Sequence, residues 1–267
     1  MNEVQKEMSI IDHLRDLRKF LLHSVAGVFI AAIFVAFNIN FVFDKIIMAP
    51  TQVNFYTYRV LCKLSSDLCV DKVPLNIMNI DMTGQFTAHI WTSVTFGIIL
   101  AFPYILYDLW KFIKPALYES ERKTGVVFIS VSSFLFLIGV LFGYFLITPL
   151  SVNFFARYKV SDMINNQIKM SSYISFVRST VLANGVVFEL PVIIYFLAKG
   201  GIVTSDFMKQ NRKYAVIIVL ALAAMITPPD VVSQIIVAIP LLILYEFSIF
   251  IAKTVGDKKS KELFIKN

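Results

Sequence analysis

Charge is what this 267-residue chain has least of. Only 16% of its residues are Asp, Glu, Lys or Arg, against 57% hydrophobic, and its mean hydropathy is +0.72. Soluble domains carry about 25% charged residues and at most about half apolar ones. A single soluble core would have to hide nearly all of 25 Phe, 11 Tyr and 9 Met, and the polar remainder would not cover it. Disordered, collagen-like and nucleic-acid-binding compositions fail on the same ground. Cysteine is scarce as well, and two residues build no disulfide scaffold. With three His and no His/Cys/carboxylate spacing of a metal site, no metal or other cofactor is expected. No cleavage pattern follows the first apolar run, which is too long for the core of a secretory signal.

What is present is a series of long apolar runs. Six are read, at roughly 20–43, 85–107, 125–147, 172–198, 213–227 and 233–252. A helix needs about 20 residues to cross a hydrocarbon core about 30 Å thick. The first four runs meet that length. The fifth stops at Pro228-Pro229 after about 15 residues, roughly 22 Å of helix, so the last two helices are expected to form a short hairpin. Continuous runs such as Val126–Val140 are not the alternating segments of a membrane β-barrel. Lys and Arg number 17 in the terminal regions and the segments 108–124 and 199–213, against 7 in the opposite loops. The positive-inside rule then places both termini in the cytoplasm. The expected fold is an all-α integral membrane protein of six transmembrane helices. Residues 1–253 read as one membrane domain and 254–267 as a basic cytoplasmic tail.

Polar groups inside such segments need a reason, since a charge there costs about 3 kcal/mol on insertion scales. Glu189 lies within the fourth run, just before Pro191, which frees the carbonyl of Val187. A kink and a polar pocket are expected together there, serving either a functional carboxylate or a hydrogen bond between helices. Arg178 lies three turns away, too far for a direct pair. Gln234 and Glu246, twelve residues apart, make one face of the last run polar, as an interhelical seam or a docking surface. His89 reads as an interfacial hydrogen-bonding group. A spacing in the second run, Gly97-x5-Pro103-x3-Tyr107, repeats in the fourth as Gly185-x5-Pro191-x3-Tyr195. Coincidence or common helix packing accounts for it more simply than an internal repeat.

On the cytoplasmic side, Asp12-His13-Leu14-Arg15-Asp16-Leu17-Arg18 precedes the first run. Phe112-Ile113-Lys114-Pro115-Ala116-Leu117-Tyr118-Glu119-Ser120-Glu121-Arg122 follows the second. Such stretches serve as solvated juxtamembrane helices. Carboxylates beside exposed aromatics also suit a basic and apolar peptide, because they take guanidinium groups bidentately.

These two stretches resemble the opening and the first cytoplasmic loop of the TatC family, the multi-span subunit of the twin-arginine protein translocase. Phe188-Glu189-Leu190-Pro191 is similar to its span-four motif. Thr227-Pro228-Pro229-Asp230 with Gln234, Pro240 and Tyr245-Glu246 is similar to its last hairpin. The motifs fall in order over about residues 9–252. The resemblance implies a receptor in the bacterial cytoplasmic membrane for folded cargo bearing an Arg-Arg signal peptide, and not an enzyme. It also implies single-span TatA- and TatB-like partners, assembly with further copies of the chain, and drive from the proton-motive force. Carried over, Glu121 and Asp16 receive the signal arginines, while Arg18, Phe112 and Leu117 shape or support that site. Glu189 becomes the polar group of the membrane face that signal peptide and partners approach, and Pro50 and Asp230 become sensitive positions of the outward loops. Two departures stand out. Asp16 replaces the usual Glu, with one methylene less of reach. The first outward loop, roughly 44–84, is longer than usual and carries Cys62 and Cys69, which could pair in an oxidising periplasm. The alternative to this reading is a proton-coupled transporter of a small solute, with Glu189 as the coupling carboxylate.

Overall fold

The computed structural model describes residues 10–64, 69, 75–116, 125–161, 163, 166–226 and 231–266. In chain order the α-helices are α1 (Ile10–Phe37), α2 (Ile39–Val42), α3 (Tyr56–Leu64), α4 (Gly84–Ile113), α5 (Gly125–Phe142), α6 (Thr148–Arg157), α7 (Met170–Val187), α8 (Leu190–Lys199), α9 (Ser205–Gln210), α10 (Arg212–Ile226) and α11 (Val231–Lys266). Two π-helical turns, Phe43–Ile47 and Gly143–Ile147, follow α2 and α5. Five helical stretches are long and apolar enough to cross a membrane among the described residues: Leu14–Phe37, Gly84–Ile113, Gly125–Arg157, Met170–Lys199 and Gln234–Gly256. Their outer faces carry large apolar side chains such as Phe29, Phe34, Val126 and Phe134, all more than half exposed. In lipid that exposure costs nothing, and the helical ladder satisfies the backbone. The fold is that of a helical membrane protein.

The fifth apolar run is α10, 15 residues long as its prolines dictate. The last helix, expected to be short, is not: α11 has 36 residues and runs through the basic tail. Apolarity ends near Ala252, but the Lys, Glu and Leu that follow are good helix formers, so the helix outlasts its membrane part. One small feature escaped the sequence altogether. Strands β1 (Asn76–Met78) and β2 (Gln167–Lys169) pair in parallel, Ile77 opposite Ile168, and Lys169 reaches Asp81 at 2.8 Å.

The chain divides into two compact units, Met1–Ile39 with His89–Ser133, and Asn40–Ala88 with Phe134–Asn267. In the first, α1 and α4 pack antiparallel. Phe20 stacks on Phe112 with centroids 6.0 Å apart, His23 meets Asp108, and the Tyr104 ring lies against Gly27. Further along the seam, a Cβ added at Gly97 would stand 2.9 Å from the backbone of Ala32. The helices approach that closely only because residue 97 has no side chain. Gly97→Val is therefore expected to destabilise the chain by about 1–3 kcal/mol, since overpacking forces backbone shifts. An apparent Tm in detergent equal to that of the parent would contradict this close approach.

In the second unit, a core of Ile147, Phe188, Val219, Ala223, Val237, Ala238 and Leu241 joins the end of α7, α10 and α11 to the Gly143–Ile147 turn, with Phe188 capping α7. Gly185 lets the Phe136 ring come within 2.7 Å of where its Cβ would be. Both glycines of the repeated spacing are thus used in close helix contacts. Their prolines differ: α4 runs unbroken through Pro103, while α7 ends at Val187, four residues before Pro191.

Candidate functional site

In the first unit, the Phe20–Phe112 stack joins the start of the first span to the end of the second. Phe112 occupies the last turn of α4, and Phe20 lies one turn along α1 from Asp16. Asp16 is half-buried and its Oδ1 lies 3.8 Å from Lys19 Nζ, a partly exposed pair of little strength. Its carboxylate is therefore available to a better cation. Arg18 is exposed on the same helix. The structure thus brings Asp16, Arg18 and Phe112 to one end of this unit. Leu117 and Glu121 lie outside the described residues.

Beneath the aromatic pair lies a group that the sequence did not single out. Asp108 is 6% exposed, and its Oδ2 lies 4.0 Å from His23 Nδ1. The signal available in the sequence was an acid at the end of an apolar run, which usually marks a solvated boundary. In the structure it is buried instead.

Glu189 occupies the break between α7 and α8. Its backbone carbonyl accepts from Val192 and Ile193 N–H, both at 3.0 Å, and restarts the helix around Pro191. Phe188 turns into the core while Glu189 is half-buried beside it. Gln234 and Glu246 both bond towards α10: Gln234 Nε2 donates to the Leu220 carbonyl at 3.1 Å, and Arg212 Nη2 donates to Glu246 Oε2 at 2.7 Å. Glu189, Gln234 and Glu246 belong to the second unit, and both α11 side chains serve a helix–helix seam.

The same unit carries a cap built on prolines. Pro50 and Pro149 have no N–H to offer the carbonyls four residues back, Ile46 and Phe145. Tyr144 Oη donates to Ile46 O at 2.8 Å, and the Thr57 hydroxyl donates to Phe145 O. Tyr173 Oη donates to Ile47 O at 2.6 Å. Tyr58 Oη is shared between Pro149 O at 2.8 Å and Pro50 O at 3.1 Å. Burial pushes the Tyr58 phenol well above its usual pKa, with Arg157 opposing, so it stays a donor. Rings of Phe55, Tyr58, Tyr144 and Phe145 pack around these bonds. Pro50 is fully buried in this cap, and Asp230 lies outside the described residues.

Cys62, at the end of α3, is disulfide-bonded to Cys69, with Cα atoms 4.2 Å apart. So small a loop is worth about 2 kcal/mol. Cys62→Ser is expected to lower the apparent Tm by a few degrees, in line with that energy, while leaving ligand binding by the first unit intact. Loss of such binding in the variant would show the bridge to matter beyond its own loop.

Residues 12–240 match the family described as Sec-independent protein translocase protein (TatC). The Sec-independent protein translocase protein TatC of Blattabacterium sp. subsp. Periplaneta americana (strain BPLAN) is 41% identical over 266 residues, covering 97% of this chain and all of its own. TatCy of Bacillus subtilis (strain 168) is 36% identical over 255 residues, 96% of this chain and 92% of its own. A crystal structure described as the twin arginine translocase receptor TatC is similar with a TM-score of 0.70 at 33% identity, over 91% of this chain and 99% of that one.

Proposed function

The chain belongs to the TatC family of Sec-independent protein translocase subunits, and from that premise we propose that it receives Arg-Arg signal peptides of folded cargo at its cytoplasmic face. As a family member it is a multi-pass protein of the bacterial inner membrane that takes part in protein transport and is not an enzyme. The finer assignment is residue by residue. Glu121 and Asp16 accept the guanidinium groups, and Phe112 and Leu117 give the apolar contact that follows an arginine pair. Arg18 supports the acidic group beside it. Both termini lie in the cytoplasm, with six spans between them. TatA- and TatB-like single-span proteins and further copies of the chain assemble on the membrane face near Glu189, and the proton-motive force drives transport.

The observation that carries this reading is the antiparallel seam of α1 and α4. Phe20 on Phe112 brings two motifs that are far apart in sequence to one end of one unit. Asp16 lies one turn from that aromatic pair, and a carboxylate beside aromatic rings suits an Arg-Arg peptide.

The test is binding of a labelled Arg-Arg signal peptide to the solubilised chain, with a Lys-Lys peptide as control. Ammonium is a point charge and lacks the planar fork, so a preference of about tenfold or more for Arg-Arg is expected. Equal affinity for the two peptides, or no binding by a folded chain even with a TatB-like partner present, would remove the receptor assignment.

A further inference from the structure

Asp108 is a carboxylate in an unfavourable place. It is nine-tenths buried, and its Oδ2 has no hydrogen-bond partner among the described residues. The His23 ring stands off at 4.0 Å and is itself 62% exposed. That separation is too long for a hydrogen bond. On the same helix, Lys111 Nζ lies over the Tyr107 ring, 5.6 Å from its centroid. The neighbours Leu106 and Trp110 are buried and apolar in character. A buried carboxylate oxygen left without a donor is costly and calls for one.

The position of Asp108 says where the donor comes from. The seam of α1 and α4 is layered: Asp16 one turn out from Phe20, then the Phe20–Phe112 stack, then His23 beside Asp108. At 1.5 Å per residue, the Asp16 and His23 layers are about 10 Å apart along the helix axis. Adjacent residues of an extended peptide have Cα atoms 3.8 Å apart and point to opposite sides. Where the peptide is not fully extended, two neighbouring long side chains turn to the same side and span two layers of one seam.

We infer that Asp108 is a second arginine-binding carboxylate. One guanidinium of the Arg-Arg pair displaces the His23 ring and takes Asp108 in a fork of two N–H donors. The other remains with the acidic group on the outer side of the aromatic layer. His23 covers Asp108 until the peptide arrives and competes weakly for it. The inference rests on the receptor reading above, and adds to it a contact on the membrane side of the phenylalanine pair.

A binding cycle separates this role from a structural one. The parent chain and Asp108→Asn are titrated with Arg-Arg, Lys-Arg and Arg-Lys signal peptides at one salt concentration. Asp108→Asn is expected to weaken Arg-Arg binding about tenfold or more. With one of the two singly substituted peptides it should have almost no further effect, because that peptide has already lost the same contact. His23→Ala should strengthen Arg-Arg binding a fewfold. An equal loss with all three peptides, or no loss with any, overturns the inference. If the parent itself does not prefer Arg-Arg to Lys-Lys, the receptor reading falls first. If the parent does prefer it and Glu121→Gln abolishes the preference while Asp108→Asn leaves it whole, only the present inference falls. Should Asp108→Asn not fold, by gel filtration and helical circular dichroism, the same cycle is run with Asp108→Glu. A moved carboxylate then has to change the ranking of the three peptides, and an unchanged ranking overturns the inference.

Discussion

Glu121→Gln is expected to weaken binding of an Arg-Arg signal peptide by about ten- to a hundredfold and to stop export of cargo carrying one. Gln keeps the size of the side chain and removes only its charge. A hydrogen bond to a charged group is worth about 1.5–3 kcal/mol, and each 1.4 kcal/mol is tenfold in affinity. A bidentate guanidinium–carboxylate pair stands at the upper end of that range. The loss should be greatest at low salt, where the charge is least screened. Asp16→Asn should cost less, because Asp16 is partly exposed and already shares its charge with Lys19. Peptide titration and export of a folded reporter read both variants. Normal export by Glu121→Gln at ordinary protein levels would show that the arginines are held elsewhere.

The second large effect is on stability. Tyr58→Phe removes one hydroxyl and leaves two buried carbonyls, those of Pro50 and Pro149, without the donor they share. An unsatisfied buried acceptor costs about 1–3 kcal/mol. The variant is therefore expected to lose about 2–4 kcal/mol, seen as a fall in apparent Tm in detergent. Thr57→Val should act in the same direction through the carbonyl of Phe145. Tyr195→Phe serves as the comparison, since its ring packs against Phe196 away from the cap, and it should change little. If Tyr58→Phe melts with the parent, the cap is held by its aromatic packing and not by this hydroxyl.

Much of the architecture could be read from apolar runs and prolines. The four long spans follow from run length, the short α10 from Pro228-Pro229, and the interruption at residues 188–189 from Pro191. What escaped depends on partners distant in the chain. The argument that found a freed carbonyl at Val187 applies equally to Pro50 and Pro149, but no periodicity says that Tyr144 and Thr57 answer those two. The β1–β2 pair has three residues a side, too few for an alternating pattern to register. Asp108 was not singled out, because its burial and its approach to His23 of α1 depend on a helix pairing that the sequence alone does not supply. Gln234 and Glu246 were legible as one polar face. That both bond to α10 is a fact of packing, since 14 and 34 residues separate them from their partners.

The cap also sets an order of assembly. Its bonds join residues 88, 91, 98 and 126 positions apart. While the chain is being synthesised, the segment around Ile46 and Pro50 emerges long before Tyr144, Pro149 and Tyr173 exist. Domains form as synthesis proceeds from the N-terminus, and contacts of long sequence separation come late. The segment around Ile46 and Pro50 must therefore wait, its carbonyls without these partners, until the helices that carry Tyr144 and Tyr173 have been made. A chain that ends before Tyr173 lacks the donor to Ile47 O and leaves the cap open, however well its earlier helices are threaded.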